Sequence, residues 1–115
     1  PINALSPRYF NASGIVDLTQ KPPVLWIRGD SDQIVGDASF FDFGTLGQLG
    51  FVPGWPGADV FPPQPMVGQT RAVLEKYRAN GGAFKEVVIA DAGHGPHIEK
   101  PAEFLAAFTD HLAAS

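Results

Sequence analysis

Apolar residues run without interruption through Val24-Leu25-Trp26-Ile27 and again through Val87-Val88-Ile89-Ala90, with no alternating polar side chains. Central parallel strands have this character, because both faces of their sheet are covered. The pattern predicts strands over 24–28, entered from the stiff Pro22-Pro23 lead-in, and over 86–90, each buried on both faces. Between them, Gln69 to Asn80 gathers Val73, Leu74 and Tyr77 on one helical face and places Arg71, Glu75, Lys76 and Arg78 elsewhere. That helix is expected to stop at Asn80-Gly81-Gly82, a left-handed cap signal. A strand, a helix and a parallel strand make one crossover unit, so both strand ends point the same way. Beyond the second strand, Pro101 suits a first helical turn. Phe104, Leu105, Phe108 and Leu112 then recur at helical spacing, a stripe expected to dock on the sheet with Phe104 and Phe108 in the core.

From Gly36 to Gly68 the periodicity gives way to glycine and proline interleaved with Phe40, Phe41, Phe43, Phe51, Trp55 and Phe61, and no Lys or Arg falls between Arg28 and Arg71. Disordered segments are poor in aromatics, because nothing rewards burying them. An ordered loop forming a pocket wall is therefore expected, with Phe51, Trp55 and the nearby Ile34 as candidate substrate-binding residues, the alternative being that Phe51 and Trp55 simply pack their own loop.

Composition narrows the classes of function. The chain has 115 residues, 44% of them hydrophobic, enough for one globular domain at most. Its net charge of -4 comes without a basic cluster, which argues against nucleic acid as a partner. No apolar stretch approaches the roughly 20 residues of a membrane helix. The absence of cysteine excludes disulfides and thiolate metal sites, and a cytoplasmic chain is the expectation.

The chemistry gathers just past the two strands. Gly29-Asp30-Ser31-Asp32 follows the first and Gly93-His94-Gly95-Pro96-His97 the second. Residues beyond the carboxyl ends of parallel strands face the crevice where ligands bind. Neighbouring strands lie about 4.8 Å apart, so Asp32 and His94 meet if the strands are adjacent. Imidazole accepts and returns a proton near neutral pH, and a carboxylate behind it fixes its tautomer and stabilises the cation. Asp30 competes with Asp32 for that role, and His97 is expected to brace the loop. Asp91, His94, His97 and Glu99 match no common zinc spacing, so neither a metal nor another cofactor is expected. An Asp and a His are two thirds of a nucleophilic triad. The third member, on the sharp turn read as G-x-S-x-G, is carried by none of the five serines.

Residues 22–35, from Pro22 through Gly29-Asp30-Ser31-Asp32 to Val35, and Gly93-His94-Gly95-Pro96-His97-Ile98-Glu99-Lys100-Pro101-Ala102-Glu103-Phe104 resemble the C-terminal portion of α/β-hydrolase fold enzymes. The resemblance spans 22–35 and 67–112 and implies that Asp32, in G-x-x-D, is the acid and His94, after glycine, the base. It implies an α/β fold that is incomplete as an independent domain, a single C-terminal fragment over 1–115. Within it, 1–21 is the end of a cap or connection, 22–35 a strand and acid loop, and 36–68 the aromatic loop. Residues 69–115 supply a helix, a strand, the histidine loop and a C-terminal helix. The implied activity is hydrolysis of a small, largely apolar, ester-like substrate by a nucleophile outside this chain, the chain alone being inactive. Relatives with an aspartate nucleophile act on haloalkanes or epoxides. A non-catalytic interaction fragment is the reading from a different class. In either case the bare sheet is expected to contact the N-terminal part of the same protein or a second copy.

Overall fold

A computed structural model describes Arg8 and residues 10–114 of the chain. The remainder of the expected 1–21 connection lies outside the described residues. Two strands, β1 (Val24–Gly29) and β2 (Phe84–Ile89), pair in parallel, with Val24 opposite Phe84 and Gly29 opposite Ile89. The crossover between them contains a one-turn-and-a-half helix α1 (Phe43–Gln48) and the longer α2 (Met66–Ala79). Beyond β2 come a single turn, α3 (Pro96–Glu99), and the terminal helix α4 (Pro101–Ala114). A 3-10 helix over Ala12–Asp17 precedes the sheet, its first turn capped by the Asn11 side chain. The architecture is α/β.

Alternation along β1 sets the layers. Trp26 and Arg28 turn toward α2, where Arg71 lies over the Trp26 ring at 5.8 Å. Leu25 and Ile27 turn the other way and share a cavity with Phe104, Phe108 and His111 of α4. The two longer helices thus cover opposite faces. On the α2 side, half-buried Glu86 accepts from Arg28 Nε at 2.6 Å and from Arg71 Nε and Nη2 at 3.0 and 2.9 Å. Its bond from Arg71, with a further contribution from Arg28, outweighs burial and holds the Glu86 carboxyl below its ordinary range. One carboxylate therefore ties β1, β2 and α2 together, immediately before the loop that follows β1.

The helix ends follow their sequence signals. Pro65 precedes α2, which starts three residues earlier than its apolar stripe predicts. Its end is closed by Asn80 and by Gly81 at φ +95°, with Gly82 N–H returning to the Tyr77 carbonyl. Tyr77 is buried and its hydroxyl donates to the Pro22 carbonyl, so the helix grips the entry to β1.

Two packing expectations are corrected. Within β1 and β2 only Gly29 and Ile89 are buried, and Val88 is 46% exposed. Phe108 is 43% exposed, stacked on half-buried Phe104 rather than enclosed in a core. A sheet two strands wide cannot cover a four-turn helix. Among the described residues the enclosed apolar ones are few, namely Leu74, Tyr77, Ile89 and Ala92.

Candidate active site

The strand ends carry the site, and glycine lets them meet. At Gly29 a Cβ would lie 2.1 Å from the Ala92 carbonyl oxygen and 2.3 Å from that of Gly93. Only a residue without a side chain lets the β1 end pass this close to the histidine loop. The two loops are then stitched by one backbone bond and one to a side chain: Ser31 N–H donates to Ala92 O at 2.9 Å, and Asp91 N–H donates to Asp30 Oδ1 at 2.9 Å. Asp91 has φ +56°, a left-handed bend that turns the chain out of β2. Asp30, the rival acid, is thereby spent on the joint between the loops.

Asp32 divides its oxygens. Oδ1 accepts the N–H groups of Ile34 and Val35 at 2.8 and 2.9 Å, a turn-forming pattern. Oδ2 meets His94 Nδ1 at 3.0 Å. The carboxylate is 10% exposed and the imidazole 53%. Burial alone would raise the Asp32 carboxyl, but the Val35 N–H, then His94 and the Ile34 N–H, outweigh it and hold the group below its ordinary value. An ionised carboxylate only accepts, so the shared proton sits on Nδ1. In the neutral ring Nε2, on the far side, is then the nitrogen with the free lone pair.

The nucleophile has no counterpart among the described residues. Ser31 Oγ donates to Asp30 Oδ1, and buried Ser39 donates to the Ile34 carbonyl. None of the described serines, Ser13 of the 3-10 helix included, is hydrogen-bonded to His94. Ser6 and Ser115 lie outside the described residues. No group of three or more His, Cys, Asp or Glu suited to a metal ion occurs among the described residues. Glu99 instead accepts the N–H groups of Gly93 and Gly95 through Oε2. The His97 ring packs 5.8 Å from that of Phe104, bracing α3 against α4.

A cavity of about 400 Å³ adjoins Asp32 and is lined by Arg28, Asp30, Val35, Val67 and Arg71 among others. Ile34, Phe51 and Trp55 do not line it. Trp55 lies on Gly47, where a Cβ would come 2.3 Å from the indole, and its Nε1–H donates to the Phe61 carbonyl at 2.9 Å. Phe51 is 69% exposed. Phe40, Phe41, Phe43 and Phe61 are likewise exposed, so Trp55 is the ring that packs inside this lobe. Its centre is buried Asp42, which accepts from Gly44 N–H, Thr45 N–H, Thr45 Oγ1 and Gln64 N–H. The sequence signal for α1, an Asp followed three residues on by Thr, is diluted by Gly44 and Gly47, both poor helix formers.

Among the described residues no helix is long and apolar enough to cross a membrane. Comparison with protein-family models, with curated proteins and with solved structures finds no match for this chain.

Proposed function

We propose that Asp32 and His94 are the acid and base of a hydrolase of the α/β-hydrolase type, for which this chain supplies the C-terminal strands and site loops. The observation that carries the reading is the 3.0 Å contact between an ionised Asp32 Oδ2 and His94 Nδ1 at the adjacent ends of two parallel strands. In this mechanism His94 Nε2 removes the proton of a hydroxyl nucleophile as it attacks a small ester-like carbonyl. The resulting imidazolium, stabilised by Asp32, returns the proton to the leaving alcohol. The acyl-enzyme is then hydrolysed by water activated at the same nitrogen.

The nucleophile comes from outside these 115 residues. Apolar surface left open beside the two-strand sheet supports a further layer of protein on the chain. Exposed Val88, Leu105, Phe108 and Leu112 are apolar groups such a layer would cover.

The test is hydrolysis of short-chain aryl esters by the protein that carries this segment. His94→Ala is expected to lower turnover by about 10³-fold or more, with thermal stability retained. Undiminished hydrolysis in that variant contradicts the proposal.

A further inference from the structure

The His94 ring is half exposed, and its one hydrogen bond among the described residues is to Asp32. Packing does not fix it, so the backbone must. Glu99 holds that backbone. Its Oε2 accepts the N–H of Gly93 at 3.0 Å and of Gly95 at 3.2 Å, the residues on either side of His94. These N–H groups belong to the 92–93 and 94–95 peptide planes, which between them bracket the four backbone dihedrals of Gly93 and His94. The 92–93 plane is gripped from its other side as well, by Ser31 N–H on the Ala92 carbonyl. Gly95 is joined to Glu99 twice, since its carbonyl accepts the Glu99 N–H at 3.0 Å while its N–H reaches the carboxylate. A Cβ at Gly93 would stand 3.2 Å from both carboxylate oxygens, so glycine there lets the clamp close.

We infer that Glu99 is a positioning residue for His94, acting on the imidazole only through the two flanking amides. The inference rests on the reading of Asp32 and His94 as an acid–base pair. The substitution Glu99→Gln keeps an acceptor oxygen of the same reach without the charge, whereas Glu99→Ala keeps none.

The test reads the ring nitrogens of His94 by long-range ¹H–¹⁵N NMR in the full chain, beside the melting temperature. In Glu99→Ala the fraction of neutral ring protonated at Nδ1 should fall at least twofold, and Glu99→Gln should restore it. An unchanged tautomer in Glu99→Ala, or no rescue by Glu99→Gln, overturns the inference. Should Glu99→Ala fail to fold, amide exchange in the unmutated chain decides: Gly93 and Gly95 should exchange at least tenfold more slowly than an unstructured glycine, and free exchange overturns the clamp. If the unmutated chain lacks an Asp32-dependent Nδ1–H tautomer, the acid–base reading fails. If that tautomer is present but indifferent to Glu99→Ala, only the role of Glu99 fails.

Discussion

Asp32 and Asp42 begin alike and end differently. Each accepts the N–H groups two and three residues further on, each is mostly enclosed, and each carboxyl is held below its ordinary value by backbone N–H groups and one side-chain partner that together outweigh burial. Asp42 spends its remaining capacity inside its own lobe, on Thr45 Oγ1 and Gln64 N–H. Asp32 sends its second oxygen across the sheet to an exposed imidazole. Burial and acidity do not distinguish these two carboxylates. The destination of the last lone pair does.

The harshest way to break the comparison is to separate the strand ends. Gly29→Val places side-chain carbon where the Ala92 and Gly93 carbonyls lie, and should cost about 3 kcal/mol or more, as severe overpacking does. Denaturant unfolding should show the loss, and His94 should lose its Asp32 contact. If the variant is as stable as the parent, the close approach is not what joins the loops. Asp42→Ala should cost less, about 2 to 3 kcal/mol, by leaving capped and partly buried N–H groups without an acceptor. Amide exchange at Gly44, Thr45 and Gln64 should quicken while the His94 tautomer stays put. A changed tautomer would show that the two carboxylates are not independent.

Acid treats both carboxylates together. Asp32, Asp42 and Glu86 have folded-state values below their unfolded ones, so the unfolded chain binds more protons as pH falls through this range. Their contribution is complete well above the unfolded values and should decline below about pH 4. Urea midpoints at pH 6 and pH 3 check the sign, and Asp42→Asn should flatten the decline. Stability that rises toward pH 3 would contradict it. Smallest is Trp55→Phe, which removes the indole donor to the Phe61 carbonyl and should cost about 1 kcal/mol, with ester hydrolysis unaltered. A drop in hydrolysis would return Trp55 to the site.

The contact between Asp32 and His94 was legible in the sequence because its signals are local: an apolar run, a glycine, and a titratable residue a few positions beyond. The stitch by Asp30 and the clamp by Glu99 were not, because their partners are backbone N–H groups, which every residue but proline carries. The aromatic lobe was ambiguous for a related reason. Trp55 and Phe51 announce apolar surface, but whether a ring faces a substrate or its own loop depends on a contact such as that with Gly47, and nothing at position 47 signals it. Phe104 and Phe108 have core spacing, and their exposure reflects the width of a two-strand sheet.

The most direct test of the central claim is the protonation pattern of the His94 ring at neutral pH, compared between the unmutated chain and Asp32→Asn. Asparagine keeps an oxygen for the Ile34 and Val35 N–H groups and turns an amide toward the ring, so the fold should hold while the neutral tautomer switches from Nδ1–H to Nε2–H. A ring already protonated at Nε2 in the unmutated chain, or one indifferent to the substitution, would contradict the account.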